Sequence, residues 1–249
     1  MKPSLKSTFG AMFDSLGYHL IANERMATAD AATHLATLFA TLRIDLVVDI
    51  GADSGQFGRF LRDDVGYSGR IASFEAVPAN FTVLKAQAGP DELWDVEHTA
   101  LGATGGELPL NVIELQSVRA VASVVPTTLG RFSRQTARVR RETVPVRTLD
   151  EALSHLLVRH GANRVFLKLN ARFRDRDVLK GAEKSLGKIA ALQTELSTTR
   201  KSEGMPHYLA MLSYFEAKHF SPSRFFPIPP HTAAAPNGFE CCMVNAAYV

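Results

Sequence analysis

The stretch Leu46 to Phe57, LVVDIGADSGQF, constrains this chain more than any other. Four of the five residues from Leu46 to Ile50 are apolar, Asp49 being the exception, which is the pattern of a strand buried on both faces. Gly51 ends that strand, and an amphipathic helix starts near Gly55. Glycine reaches backbone angles closed to other residues and lets a ligand approach the main chain, while the first turn of a helix presents unpaired N–H groups. The strand thus delivers an acid to a glycine turn suited to a cofactor. A dinucleotide turn carries G-x-G-x-x-G so that a pyrophosphate rests on the helix N-terminus. Here the third position is Asp53 and the glycines, Gly51 and Gly55, are four apart. Asp49 and Asp53 would repel an anion, so a cationic ligand fits better and a nicotinamide-dependent oxidoreductase fits worse.

With 249 residues, 46% of them hydrophobic and 21% charged, the chain can bury one sizeable core. The expected organisation is a helical extension over residues 1–45, packed on a single domain over 46–249. A formal charge of +3 does not call for nucleic acid or an anionic membrane. No run approaches the roughly 18 apolar residues of a membrane span, and the first 20 residues lack the apolar block of a signal peptide. A soluble, cytoplasmic protein is the expectation. Cys241 and Cys242 are neighbours, which suits packing on opposite faces of a strand better than a disulfide.

Along the chain, Ala27 to Leu42 places Ala31, Leu35, Leu38, Phe39 and Leu42 at helical spacing. Tyr18, His19 and Asn23 precede it and read as surface polar residues that could alternatively reach a substrate. Arg70 to Glu75, RIASFE, is a second strand ending in an acid. In a β-α-β unit that carboxylate lies beside the first turn, where it can accept hydrogen bonds from ribose hydroxyls. Trp94 to His98 is a third strand running into Leu101, the position where an adenine is commonly held. Glu107 to Ile113 and Glu142 to Arg147 alternate like a pair of strands. The arginines of Arg131 to Arg141 between them read as a solvated loop, with contact to an anionic substrate as the alternative. Then come a helix from Thr148 to Leu157 and a fourth buried strand, Arg164 to Leu169, with Asn170 at its tip. A helix Asp175 to Leu186, a strand Ile189 to Leu196, a helix Pro206 to His219, a proline-rich loop at 227–236 and a closing strand Phe239 to Ala246 complete the chain. This alternation predicts a doubly wound, mostly parallel α/β sheet with helices on both faces.

The ordered blocks VVDIGADSGQFGRFL, GRIASFEAVPANF, ALGATGGELPLNV, ETVPVRTLD, FLKLN, VLKGAEKSL and LQTEL resemble the FkbM-type S-adenosylmethionine-dependent methyltransferases, from about Leu38 to the C-terminus. The resemblance implies a Rossmann-like class I methyltransferase fold with S-adenosyl-L-methionine as cofactor. It also implies O-methylation of a hydroxyl on a sugar, glycolipid or polyketide-like small molecule, and nucleic acid is not an expected partner. Asp49, Gly51, Ala52, Asp53 and Gly55 would frame the cofactor, Glu75 would bind its ribose and Leu101 would lie near its adenine. The sequence sets neither an oligomeric state nor a metal.

One block departs from the family. Where such chains carry K-[ILV]-D-x-Q-G-[FY]-E, this one reads Lys168-Leu169-Asn170-Ala171-Arg172-Phe173-Arg174-Asp175. Asn170 keeps a carbonyl acceptor but cannot take a proton near neutral pH. The expected catalytic set is Glu195, the acid of the LQTEL block, with Asp175 and Asn170. Lys168, before the tip, is expected to point away from Asn170 and reads as packing or surface. Two functions remain open: an active methyltransferase with an altered acceptor pocket, and a degenerate relative that binds cofactor or a partner without turnover.

Overall fold

The computed structural model describes residues 26–115, 118–123, 137–171, 174–198, 207–228 and 237–249. Tyr18, His19, Asn23, Arg131, Arg134, Arg172 and Phe173 lie outside them. The elements in chain order begin with α1 (Met26–Leu42), β1 (Leu46–Ile50), and α2 (Gln56–Phe60), which runs on as a π-helical turn Leu61–Val65. They continue with β2 (Arg70–Phe74), α3 (Pro78–Ala88), β3 (Trp94–Glu97), β4 (Ala100–Leu101), β5 (Gly106–Leu115), β6 (Val118–Ser123) and β7 (Ala137–Arg147). Last come α4 (Leu149–His160), β8 (Val165–Leu169), α5 (Asp175–Lys180), β9 (Ile189–Ser197), α6 (Tyr208–Glu216), β10 (Phe220–Ile228) and β11 (Gly238–Asn245).

Seven strands form the main sheet in the order β10-β11-β9-β8-β1-β2-β3. The run from β3 to β9 is parallel, and β11 pairs antiparallel with both β9 and β10. All five residues of β1 are buried, because the central strand is covered on both faces. Leu46, Val48 and Ile50 meet α4, α5 and α6 through Leu153, Val178 and Phe215, while Val47 meets Leu35, Phe39 and Leu61 of α1 and α2. Helix α4 starts at a reciprocal cap, with Thr148 accepting from the Glu151 N–H and Glu151 accepting from the Thr148 N–H. This strand order, with β11 reversed, is the Rossmann-like class I methyltransferase fold.

Between β3 and α4 the chain leaves the main sheet for a second one, ordered β4-β7-β5-β6. Glu107 to Ile113 and Glu142 to Arg147 do pair, antiparallel, with Glu107 opposite Pro145 and Leu110 opposite Glu142. The arginine-rich segment is not a loop where it is described, since Arg138, Arg140 and Arg141 belong to β7. Long alternating strands outcompete a solvated loop once a partner strand is present. Val77, Leu110 and Val144 form a small apolar cluster under this sheet.

Two other elements differ from expectation. Helix α5 stops at Lys180, not Leu186, and Gly181 follows; a Cβ there would lie 2.0 Å from the Gly102 carbonyl oxygen. Only a glycine at this end of the helix lets the β4 loop come so close. Strand β10 covers a stretch with Pro222 and Pro227 that resembles a loop. Proline is tolerated because β10 is the sheet's edge and has a partner on one side only. Cys241 and Cys242 are buried free thiols on opposite faces of β11, and burial pushes each up to about 12.

Candidate cofactor cleft and its neighbour

The carboxyl ends of β1, β2 and β8 surround a cleft that opens to solvent. Gly51, Glu75, Thr99, Leu101, Asn170 and Arg174 are among its walls. Across the sheet its lining passes from apolar at Leu101, Leu108 and Leu110 through Glu75 to polar at Asn170 and Arg174.

Gly51 sits at φ 74° with its Cα against the tip of β8, where an added Cβ would come 2.1 Å from the Asn170 carbonyl oxygen. A side chain would wedge β1 from β8, so the glycine sets how closely the two tips approach. Several N–H groups of this turn are already engaged. The Gly51 and Ala52 N–H groups donate to the Phe74 carbonyl at 2.9 and 3.1 Å, and the Gly55 N–H donates to the Ala52 carbonyl at 2.9 Å. Glu75, 5% exposed, accepts from the Asp53 N–H and the Val77 N–H, each at 2.7 Å. Its carboxylate therefore ties the glycine turn to the segment after β2 and keeps further lone pairs for the cleft it lines.

Asp49 is 1% exposed and does not line the cleft; it lies behind the turn. Its carboxylate accepts from the Ser73 hydroxyl at 3.4 Å, and Ser73 in turn accepts from the Trp94 indole N–H at 3.0 Å. Burial pushes this carboxyl up to about 7, with the Lys168 charge and the Ser73 hydrogen bond opposing and the Glu75 charge assisting. The acid expected to face a cationic ligand is thus a support for the strand end. Ala52, Asp53 and Gly55 likewise build the turn and are not cleft walls.

Lys168 is the residue that sequence reasoning misplaced. It stands between Asp49 and Gln193 in the register of β1, β8 and β9, on the face covered by α1 and α2. Its side chain is 7% exposed and its Nζ donates to Glu240 at 2.6 Å; Gln193 donates to the same carboxylate at 2.9 Å. Burial pushes Glu240 upward, but the Lys168 charge and these two hydrogen bonds outweigh it and hold the carboxyl below its ordinary value. Residues two apart in a strand share a face, so Lys168 does not point away from Asn170 as expected: both line one cleft, and nothing local hints at a partner 72 residues away. These groups floor a second cleft, whose walls include Phe57, Thr28 and Asn170. Asn170 lines both clefts and marks where they adjoin.

Asp175 and Glu195 are not among the walls of either cleft. Asp175 accepts from the Ala171 N–H at 2.8 Å, closing the loop after β8. Burial raises its carboxyl, the hydrogen bond from Ala171 and the Lys168 charge oppose this, and Glu195 assists it. Glu195 pairs in register with Glu240 of β11.

Strand order and the place of the cleft are those of the Rossmann-like class I methyltransferase fold. No protein-family model and no curated protein matches the sequence. Among solved structures the chain is similar to the FkbM methyltransferase of Methylobacillus flagellatus, with 14% identity over 81% of this chain and 43% of that one and a TM-score of 0.47. It is also similar to Aeropyrum pernix fibrillarin with natively bound S-adenosyl-L-methionine, with 12% identity, 86% and 73% coverage and a TM-score of 0.48. A third is the magnesium protoporphyrin IX methyltransferase of Synechocystis with bound cofactor, with 9% identity, 99% and 100% coverage and a TM-score of 0.47. The chain spans less than half the length of the first. Each likeness is one of fold alone.

Proposed function

We propose that this chain is an S-adenosyl-L-methionine-dependent methyltransferase that methylates a hydroxyl of a small molecule such as a sugar, glycolipid or polyketide-like compound. The observation that carries the reading is the cleft at the carboxyl ends of β1, β2 and β8, with Gly51 closing one wall, Glu75 in the middle and apolar Leu101 at the far end. Its residues suit the cofactor's parts in that order: Leu101 and Leu110 an adenine, Glu75 a ribose diol, and the Gly51 and Asn170 end the amino acid. Bound there, the cofactor would supply a methyl group on a positively charged sulfur. The protein's own task is to align the acceptor hydroxyl with that group and help its proton leave.

In this reading the second cleft takes the acceptor, because Asn170 is shared by both sites. The Asn170 carboxamide can accept a hydrogen bond from the hydroxyl and orient it, without removing its proton. Lys168, Gln193 and Glu240 offer donors and an acceptor side by side, as a neutral hydroxyl-bearing ligand requires. Around this cleft Arg59 pairs with Asp63 and Lys168 with Glu240, so its lining carries no surplus of cations for a polyanion, which favours a small molecule over nucleic acid. Asp175 and Glu195 keep the catalytic role expected of them only as carboxylates behind the β8 tip, where they can bias the charge around Asn170.

The competing reading is a degenerate relative that binds cofactor without transfer; it is favoured by Asn170, which lacks the proton-accepting carboxylate of the related motif. The two separate in one experiment. Titrating S-adenosyl-L-methionine calorimetrically and then measuring S-adenosylhomocysteine release with a panel of glycosides, glycolipids and polyketides distinguishes turnover from binding alone. Absence of binding overturns the transferase reading and leaves a degenerate relative that binds a partner instead.

A further inference from the structure

The cofactor proposed above ends in a carboxylate, and four N–H groups of the glycine turn are already committed elsewhere. The N–H groups of Gly51, Ala52, Asp53 and Gly55 already donate to Phe74, Phe74, Glu75 and Ala52 respectively. A carboxylate desolvated in the cleft needs donors, and a cation serves best. Among the described residues that line the cleft, Arg174 is the only cation. It stands just before α5, on the same end of the cleft as Gly51, Asn170 and Ala171. One guanidinium nitrogen, Nη2, donates to Asp177 at 3.1 Å, which anchors the group. A guanidinium carries five N–H donors in a planar fork, so this anchor leaves donors for a ligand. The side chain is 30% exposed, reachable from the cleft yet partly desolvated.

We propose that Arg174 binds the carboxylate of the cofactor's amino-acid end and so fixes how far the sulfur sits from Asn170. The proposal rests on the cofactor reading. It is specific to this chain, whose related motif carries an aromatic residue at this position. Asp177 acts as a positioning residue, tethering the guanidinium to the first turn of α5.

The test compares two ligands on the full chain by calorimetry: S-adenosyl-L-methionine, and decarboxylated S-adenosylmethionine, which lacks only the carboxylate. Wild type is expected to prefer the first by roughly 10- to 100-fold, the factor of one charged hydrogen-bonded pair. R174Q should lose that preference while binding the decarboxylated ligand unchanged, and R174K should retain part of it. Equal weakening of both ligands by R174Q, with a retained thermal transition, would make Arg174 merely structural and overturn the proposal. So would a wild type that does not distinguish them, although the cofactor reading would then stand. A wild type that binds neither overturns the proposal and the cofactor reading together.

Discussion

Gly51→Ala should be among the most damaging single substitutions in the chain, and Gly66→Ala is its natural control. The two glycines have nearly the same backbone, at φ 74° and 73°, so alanine carries the same left-handed penalty of roughly 1–2 kcal/mol at each. They differ in what a Cβ would meet. At Gly66 nothing lies within 4 Å, whereas at Gly51 the Asn170 carbonyl oxygen is at 2.1 Å. That oxygen belongs to the backbone, so relief requires the tips of β1 and β8 to part. Parting them threatens the Asn170 N–H to Ile50 carbonyl bond at 3.0 Å and the Gly51 N–H to Phe74 carbonyl bond at 2.9 Å. At about 1 kcal/mol net for each bond, G51A should cost about 2 kcal/mol more than G66A. Urea unfolding read from the fluorescence of Trp94, the chain's single tryptophan, measures both. G51A should also weaken S-adenosyl-L-methionine binding, while G66A should not. Equal destabilisation by the two substitutions would refute the argument, since the β1 and β8 tips would then yield freely.

Lys168→Met leaves the Glu240 carboxylate without its cation, and should cost about 3 kcal/mol in urea unfolding at pH 7, with K168M/E240Q recovering most of it. Because the folded carboxyl of Glu240 lies below its unfolded value, its contribution is present above the unfolded pKa and fades as pH falls through the folded one. K168M should flatten that acidic limb of the stability curve. Asp49 behaves oppositely: its folded pKa of about 7 exceeds the unfolded value, so stability is fullest below the unfolded pKa and falls as pH rises toward 7. D49N should remove that decline, on the order of 4 kcal/mol for a shift of this size, and a wild-type curve flat between pH 4 and 7 would contradict it. Cys241 and Cys242, with thiols raised to about 12, should resist a thiol reagent at pH 8 in the native protein and both react in denaturant.

Legible from the residues alone were the strand and turn from Leu46 to Gly55, the acid closing β2, the parallel alternation and the packing of Cys241 and Cys242 on opposite faces of a strand. Each is written in local terms: apolar runs, glycine positions and period-two alternation need no distant partner to be read. Strand β10 escaped notice because its prolines are tolerable only at an edge, and edge status belongs to the sheet. The close approach of the Gly102 carbonyl to Gly181 at the end of α5 was invisible for the same reason, since it joins segments far apart in the chain. Within the site, only tertiary structure decided that Asp49 backs the turn while Glu75 faces the cleft. It also joined Lys168 to Glu240 and made Asn170 the wall between two clefts. Sequence fixes which residue ends each strand; which face that residue shares, and with whom, depends on strand order and on the helices laid across the sheet.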